Sequence, residues 1–97
     1  MNKGRTYRVT VTEITDAGDG VAPLNELVFT HRNHDDLARI VLLVRESSGL
    51  DADHSAALAV GLKLLGQTVL EHKANPLLDG LRTPLREFIT ALKARRG

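Results

Sequence analysis

Four side chains that can bind a metal ion lie within six residues of one another. They are His31, His34, Asp35 and Asp36. Imidazole and carboxylate groups are suitable ligands for zinc or manganese, but a metal site needs ligands that converge. Adjacent aspartates on a helix diverge by about 100°. The simpler interpretation is a helix start, with Asn33 as N-cap and both aspartates in the first turn, where negative charge is favourable. A metal-binding protein or metal-dependent enzyme built on this His/Asp cluster is therefore an alternative hypothesis.

The remaining polar residues do not form a recognisable catalytic motif. His54 and His72 fall near opposite ends of one predicted helix, and His54 joins the His/Asp cluster only if two helix starts meet. His72 continues an apolar stripe and is predicted to border the core. Residues 18–20 lack the lysine and hydroxyl of a P-loop. No nucleophile-elbow motif surrounds the candidate serines, Ser47, Ser48 and Ser55. We predict no catalytic residue and no cofactor.

Composition indicates one globular domain, spanning residues 1–97. Apolar residues make up 42% of the chain and charged residues 26%, as in ordinary soluble domains. The chain has no cysteine, which excludes disulfides and thiolate metal sites. Residues 1–6 lack the apolar stretch of a signal peptide, and no apolar run approaches the roughly 20 residues of a membrane span. We therefore expect a cytoplasmic protein without membrane contact.

The charge distribution does not favour nucleic-acid binding. Thirteen basic and twelve acidic residues give a net charge of +1, and the two signs are mixed along the chain. Only three aromatic side chains are present, which is too few for a base-stacking platform. Weak binding of nucleic acid through the basic residues near both termini is the second alternative hypothesis.

The amino-terminal part of the sequence predicts a β-hairpin. Tyr7, Val9 and Val11 alternate with polar residues at the period of two that is typical of a strand. Turn-forming residues follow at 16–20, and Pro23 is expected to close the loop. A second alternating stretch surrounds Phe29. The predicted strands are residues 5–14 and 26–31.

The rest of the sequence predicts helices at residues 34–47, 52–74 and 84–95, with a short helical turn at 76–80. The first helix carries an apolar stripe and ends at Gly49, which suits a left-handed cap. The second is the most apolar, and we expect it to be the spine of the core. Gly61 and Gly66 within it suggest close approach of another backbone. Pro84 is placed at the first position of the last helix. The predicted fold is α+β, a two-stranded antiparallel hairpin packed on three main helices.

Several segments resemble a small family of bacterial domains of unknown function. The similar segments are residues 7–11, 33–37, 57–66, 76–78, 88–89 and 92–93. The resemblance implies a bacterial source and a hairpin followed by helices. It implies no activity, so no functional residue is carried over from it.

The first hypothesis for function comes from the predicted hairpin. A lone two-stranded hairpin is marginally stable, and its unpaired edges can accept another strand. The first strand presents a polar, threonine-rich face, and the interface candidates on it are Arg8, Thr10 and Thr12. We predict a protein-interaction or adaptor domain that forms a homodimer or binds an unidentified protein partner.

Overall fold

The computed structural model describes residues 4–14 and 21–96, without the side chains of residues 21–25 and 96. The elements follow the predicted order, and the α+β class, a two-stranded antiparallel hairpin followed by three helices, is confirmed. They are strands β1 (Arg5–Ile14) and β2 (Val21–Asn33), helices α1 (Leu37–Ser48) and α2 (Ala52–Glu71), a 3₁₀ turn (Pro76–Leu78), and helix α3 (Asp79–Arg96).

The chain divides into two compact units, Met1–His34 and Asp35–Gly97. The first contains the hairpin and the second the helices. That the two units act as one domain remains a prediction from the sequence. Within the described residues, no helix combines the length and the apolarity that a membrane span requires.

The hairpin is longer than the sequence pattern predicts. The bounds of β1 match the prediction, but β2 begins at Val21 and ends at Asn33 instead of covering residues 26–31. Pro23 therefore lies inside a strand, and the expectation that it closes the loop is wrong. A proline is tolerated here because both strands of a two-stranded sheet are edge strands. Residues 16–20, the predicted turn, lie outside the described residues.

Helix α1 begins later than predicted and uses a different cap. The Asp36 carboxylate accepts a hydrogen bond from the Arg39 amide at 3.4 Å, so Asp36 is the N-cap and the predicted cap, Asn33, is wrong. Asn33 instead ends β2 and is buried. The left-handed cap at Gly49 is confirmed by its φ of 77°.

Only part of the apolar surface of α2 is buried. The fully buried residues of the helix are Ser55, Ala59 and Val69, whereas Leu65 is 40% exposed. Small residues line the buried side because α1 packs along it, with Leu37 and Val44 buried on the α1 side. Leu65 and Leu70 are left at the surface, whereas Leu58, Leu62 and Leu64 are half-buried. The prediction that α2 is central holds only for one side of the helix.

The end of the chain is one long helix. Helix α2 ends at Glu71 rather than residue 74, and the predicted turn shortens to Pro76–Leu78. The Asn75 side chain accepts a hydrogen bond from the Leu77 amide at 3.0 Å and starts this turn. Helix α3 then begins at Asp79, so Pro84 lies inside the helix and not at its first position. The 3₁₀ turn runs directly into α3, and this continuity hides the helix start in the sequence.

Candidate interaction surfaces

The structure assigns three members of the His/Asp cluster to structural contacts. His31 Nε2 lies 3.2 Å from Asn33 Nδ2. The Asp35 carboxylate forms an ion pair with Lys63 of α2, and Asp36 caps α1. His34 is exposed. Among the described residues there is no group of three or more metal-ligating side chains close enough to hold an ion.

Two histidines lie at the ends of α2: His54 in its first turn, next to the N-cap Asp51, and His72 as its C-cap. His54 Nδ1 lies 2.8 Å from Asp51 Oδ1, and the His54 amide donates to the same oxygen at 2.8 Å. The hydrogen bond from the His54 backbone amide lowers the pKa of the Asp51 carboxyl most, and the hydrogen bond from the His54 ring lowers it further. His72 Nδ1 contacts the Thr68 carbonyl oxygen at 2.8 Å. His72 is exposed, so the prediction that it borders the core is wrong.

One face of the hairpin is apolar and largely uncovered. Directly opposite residues of antiparallel strands share a face, and the register pairs Val9 with Phe29 and Val11 with Leu27. Val11 is 55% exposed, Leu27 59% and Phe29 40%. Ile14, near the end of β1, is 71% exposed. Exposed apolar clusters of this kind mark contact surfaces for other molecules.

The predicted interface residues lie on the opposite face of β1. Arg8 pairs with Thr30, Thr10 with Val28, and Thr12 with Glu26. Thr12 Oγ1 donates a hydrogen bond to the Glu26 carboxylate at 3.0 Å. No third strand pairs with either outer edge among the described residues. A role of Arg8, Thr10 and Thr12 in an interface stays a prediction.

An open groove of about 660 Å³ lies between α2 and α3. Its apolar lining, here called the floor, is formed by Gly66, Val69, Leu70, Leu85 and Ile89. Its cationic lining, here called the rim, is formed by Lys73, Arg82, Arg86 and Lys93. Lys73, Arg86 and Lys93 form no ion pair within the described part of the chain. The groove therefore suits a ligand that is both apolar and negatively charged.

Gly66, in the floor of this groove, has open space beside it. A Cβ atom built at Gly66 or at Gly61 would meet no atom within 4 Å. The expected close approach of another backbone therefore does not occur within the described residues. A glycine inside a helix costs about 1 kcal/mol relative to alanine. Because Gly66 has no side chain, open space remains beside it in the groove.

A second, smaller cavity of about 140 Å³ lies among the three helices. Most of its lining is apolar, including Leu43, Val44, Leu62 and Leu92, and Ser47 also faces it. The Ser47 hydroxyl donates to the Leu43 carbonyl at 2.9 Å, and the buried Ser55 hydroxyl donates to the Leu50 carbonyl at 3.2 Å. Both serine hydroxyls thus donate to backbone carbonyls a few residues away.

Sequence reasoning missed the role of Arg82. Its guanidinium donates to the carbonyl oxygens of Val69 at 3.0 Å, His72 at 3.1 Å and Lys73 at 2.9 Å. These carbonyls lie at the end of α2, where a cation is favourable. The Val69 and His72 oxygens also accept the backbone amides of His72 and Asn75 at 3.3 and 3.1 Å. Asp79 Oδ1 also forms an ion pair with the same guanidinium, 3.4 Å from Arg82 Nε. Arg82 therefore joins the start of α3 to the end of α2 and shapes one end of the groove.

Comparison with known proteins supports the fold without assigning an activity. A crystal structure of a protein of unknown function from Pectobacterium atrosepticum SCRI1043 superposes with a TM-score of 0.76 at 28% sequence identity. The match covers 94% of this chain and 98% of the other. No curated protein matches the chain. A family model for DUF3861, a domain of unknown function, matches residues 5–94. The chain therefore belongs to the DUF3861 family.

Proposed function

We propose that this protein is a small bacterial interaction or adaptor domain that self-associates through its hairpin in the cytoplasm. The observation that carries the proposal is the exposed cross-strand pair of Val11 and Leu27 on a hairpin whose outer edges have no strand partner among the described residues. Burying an apolar side chain of this size contributes about 1.5–3 kcal/mol. A second copy of the chain supplies such burial twice, because a two-fold interface repeats each contact.

Sedimentation equilibrium from micromolar to millimolar protein tests the proposal. We expect a monomer–dimer equilibrium that Val11→Thr weakens about tenfold or more, since a hydroxyl replaces a methyl group in the contact. Val28→Thr is the matched control, because it makes the same change on the opposite face at 51% exposure. A wild-type monomer over the whole range would refute self-association. A dimer that responds to Val28→Thr and not to Val11→Thr would place the contact on the threonine face.

A further inference from the structure

The charges of this chain are separated between two of its surfaces. Residues 9–30 contain four carboxylates and no lysine or arginine. Residues 72–96 contain six basic and two acidic residues, a net charge of +4. This part of the hairpin is therefore acidic, while Arg5, Arg8 and Arg32 lie at the other end of its strands, and the segment that supplies α3 and the groove rim is basic. A net charge of +1 for the whole chain conceals this separation.

Each surface also has an apolar part without cover. The far end of the hairpin, here called the hairpin end, comprises residues 11–14 together with Glu26 and Leu27, and it leaves out the control position Val28. Its apolar face carries the exposed pair Val11 and Leu27, Glu26 lies on the opposite face beside Thr12, and Glu13 and the exposed Ile14 end β1. The groove between α2 and α3 combines an apolar floor, including Leu70 at 56% exposure, with a cationic rim. The two surfaces are complementary in both charge and polarity.

We propose that the hairpin end of one copy binds in the α2–α3 groove of a second copy. This inference rests on the self-association proposed above and adds the surface that receives the hairpin. In a two-fold dimer each subunit contributes one hairpin end and one groove, so the contact forms twice. A stable interface buries about 800 Å² per subunit. In this dimer the hairpin end and the groove of each subunit would each bury about 400 Å². The open space beside Gly66 admits a side chain of the incoming strand.

Charge reversal on each surface tests the inference. The hairpin variant is Glu13→Lys/Glu26→Lys, and the groove variant is Arg86→Glu/Lys93→Glu. Each alone places like charges in both contacts, so we expect each to raise the dimer dissociation constant at least about 30-fold. An equimolar mixture of the two variants restores opposite charges in one contact and leaves the other native. We therefore expect the mixture, and neither variant alone, to form a dimer with an affinity near that of the wild type.

Matched controls separate this effect from misfolding. Arg39→Glu/Arg45→Glu reverses two exposed charges on α1, away from the groove lining, and should leave the dimer unchanged. Circular dichroism and the melting temperature of each variant check the fold. Because the substituted side chains are exposed, we expect folded monomers. Should a Lys or Glu variant unfold, the neutral forms Glu13→Gln/Glu26→Gln and Arg86→Gln/Lys93→Gln should still weaken the dimer, and more so at low salt.

The outcomes distinguish this inference from the proposed function. A wild-type dimer that neither variant weakens, or variants that the mixture does not restore, would overturn the hairpin-to-groove contact and leave self-association standing. A wild-type protein that stays monomeric at millimolar concentration would overturn both. Rescue by mixing supports both together, since only a contact between the two altered surfaces of different molecules produces it.

Discussion

Replacing Arg82 gives the sharpest test of how the helical unit is held together. The Arg82 guanidinium donates to three carbonyl oxygens at the end of α2, at distances of 2.9–3.1 Å. Hydrogen bonds to charged groups contribute about 1.5–3 kcal/mol each, but bonds from one group are not additive. The side chain is 25% exposed, so water replaces part of the loss. We expect Arg82→Ala to lower the free energy of unfolding by about 2–3 kcal/mol.

Thermal and urea denaturation followed by circular dichroism measure this effect. For a domain of this size about 1 kcal/mol shifts the melting temperature by about 4–8 °C, so the expected decrease for a loss of about 2–3 kcal/mol is about 8–24 °C. Arg82→Lys keeps the favourable charge at the helix end but cannot bond all three carbonyls, and we expect an intermediate loss.

Arg39→Ala is the control for an exposed arginine, with an expected change within about 0.5 kcal/mol. A loss for Arg82→Ala no larger than that of Arg39→Ala would refute the reasoning. It would mean that water hydrogen-bonds to the carbonyl oxygens at the end of α2 as favourably as the guanidinium does. The junction between α2 and α3 would then be held by apolar packing alone.

Four further predictions follow from the helix ends, the glycines, the strand edge and the His/Asp cluster. Hydrogen bonds from His54 lower the pKa of Asp51, so the ionised Asp51 carboxylate stabilises the folded state at neutral pH. This stabilisation is lost as the pH falls below about 4. Asp51→Asn should therefore reduce the decrease in melting temperature that the wild type shows at acidic pH. Gly49→Ala should destabilise the protein by about 1 kcal/mol, because the φ of Gly49 is 77°. Gly61→Ala should stabilise it by up to about 1 kcal/mol, because a Cβ there meets no atom within 4 Å. Urea denaturation that ranks the two variants in the opposite order would contradict these assignments. If the β1 edge pairs with another strand, those β1 amides that point away from β2 should exchange hydrogen more slowly as protein concentration rises, and an unchanged rate argues against edge pairing. Metal analysis of untagged, chelator-free protein should find no stoichiometric zinc or manganese; a stoichiometric metal that is lost on His34→Ala would instead establish the cluster as a site.

The local structure of this chain follows from its sequence pattern. The alternation from Tyr7 to Val11 located β1, and the helical stripes located α1 and the second half of α3. Gly49 was recognisable as a cap because few other residues adopt a positive φ without strain. These features depend on neighbours a few residues away, which the sequence displays directly. The order of elements and the α+β class follow from them.

The tertiary structure decided which residues face a neighbour and which meet solvent. Helical periodicity shows that α2 is apolar, but its packing against α1 selects the side with Ala59 and exposes Leu65. The bonds from Arg82 to the end of α2 join residues nine to thirteen positions apart, which no local pattern predicts. The same reason applies to the groove. Arg82, Arg86 and Lys93 share one side of α3 by helical spacing, but only the packing of α3 beside α2 brings that side together with Lys73 and the apolar residues of α2.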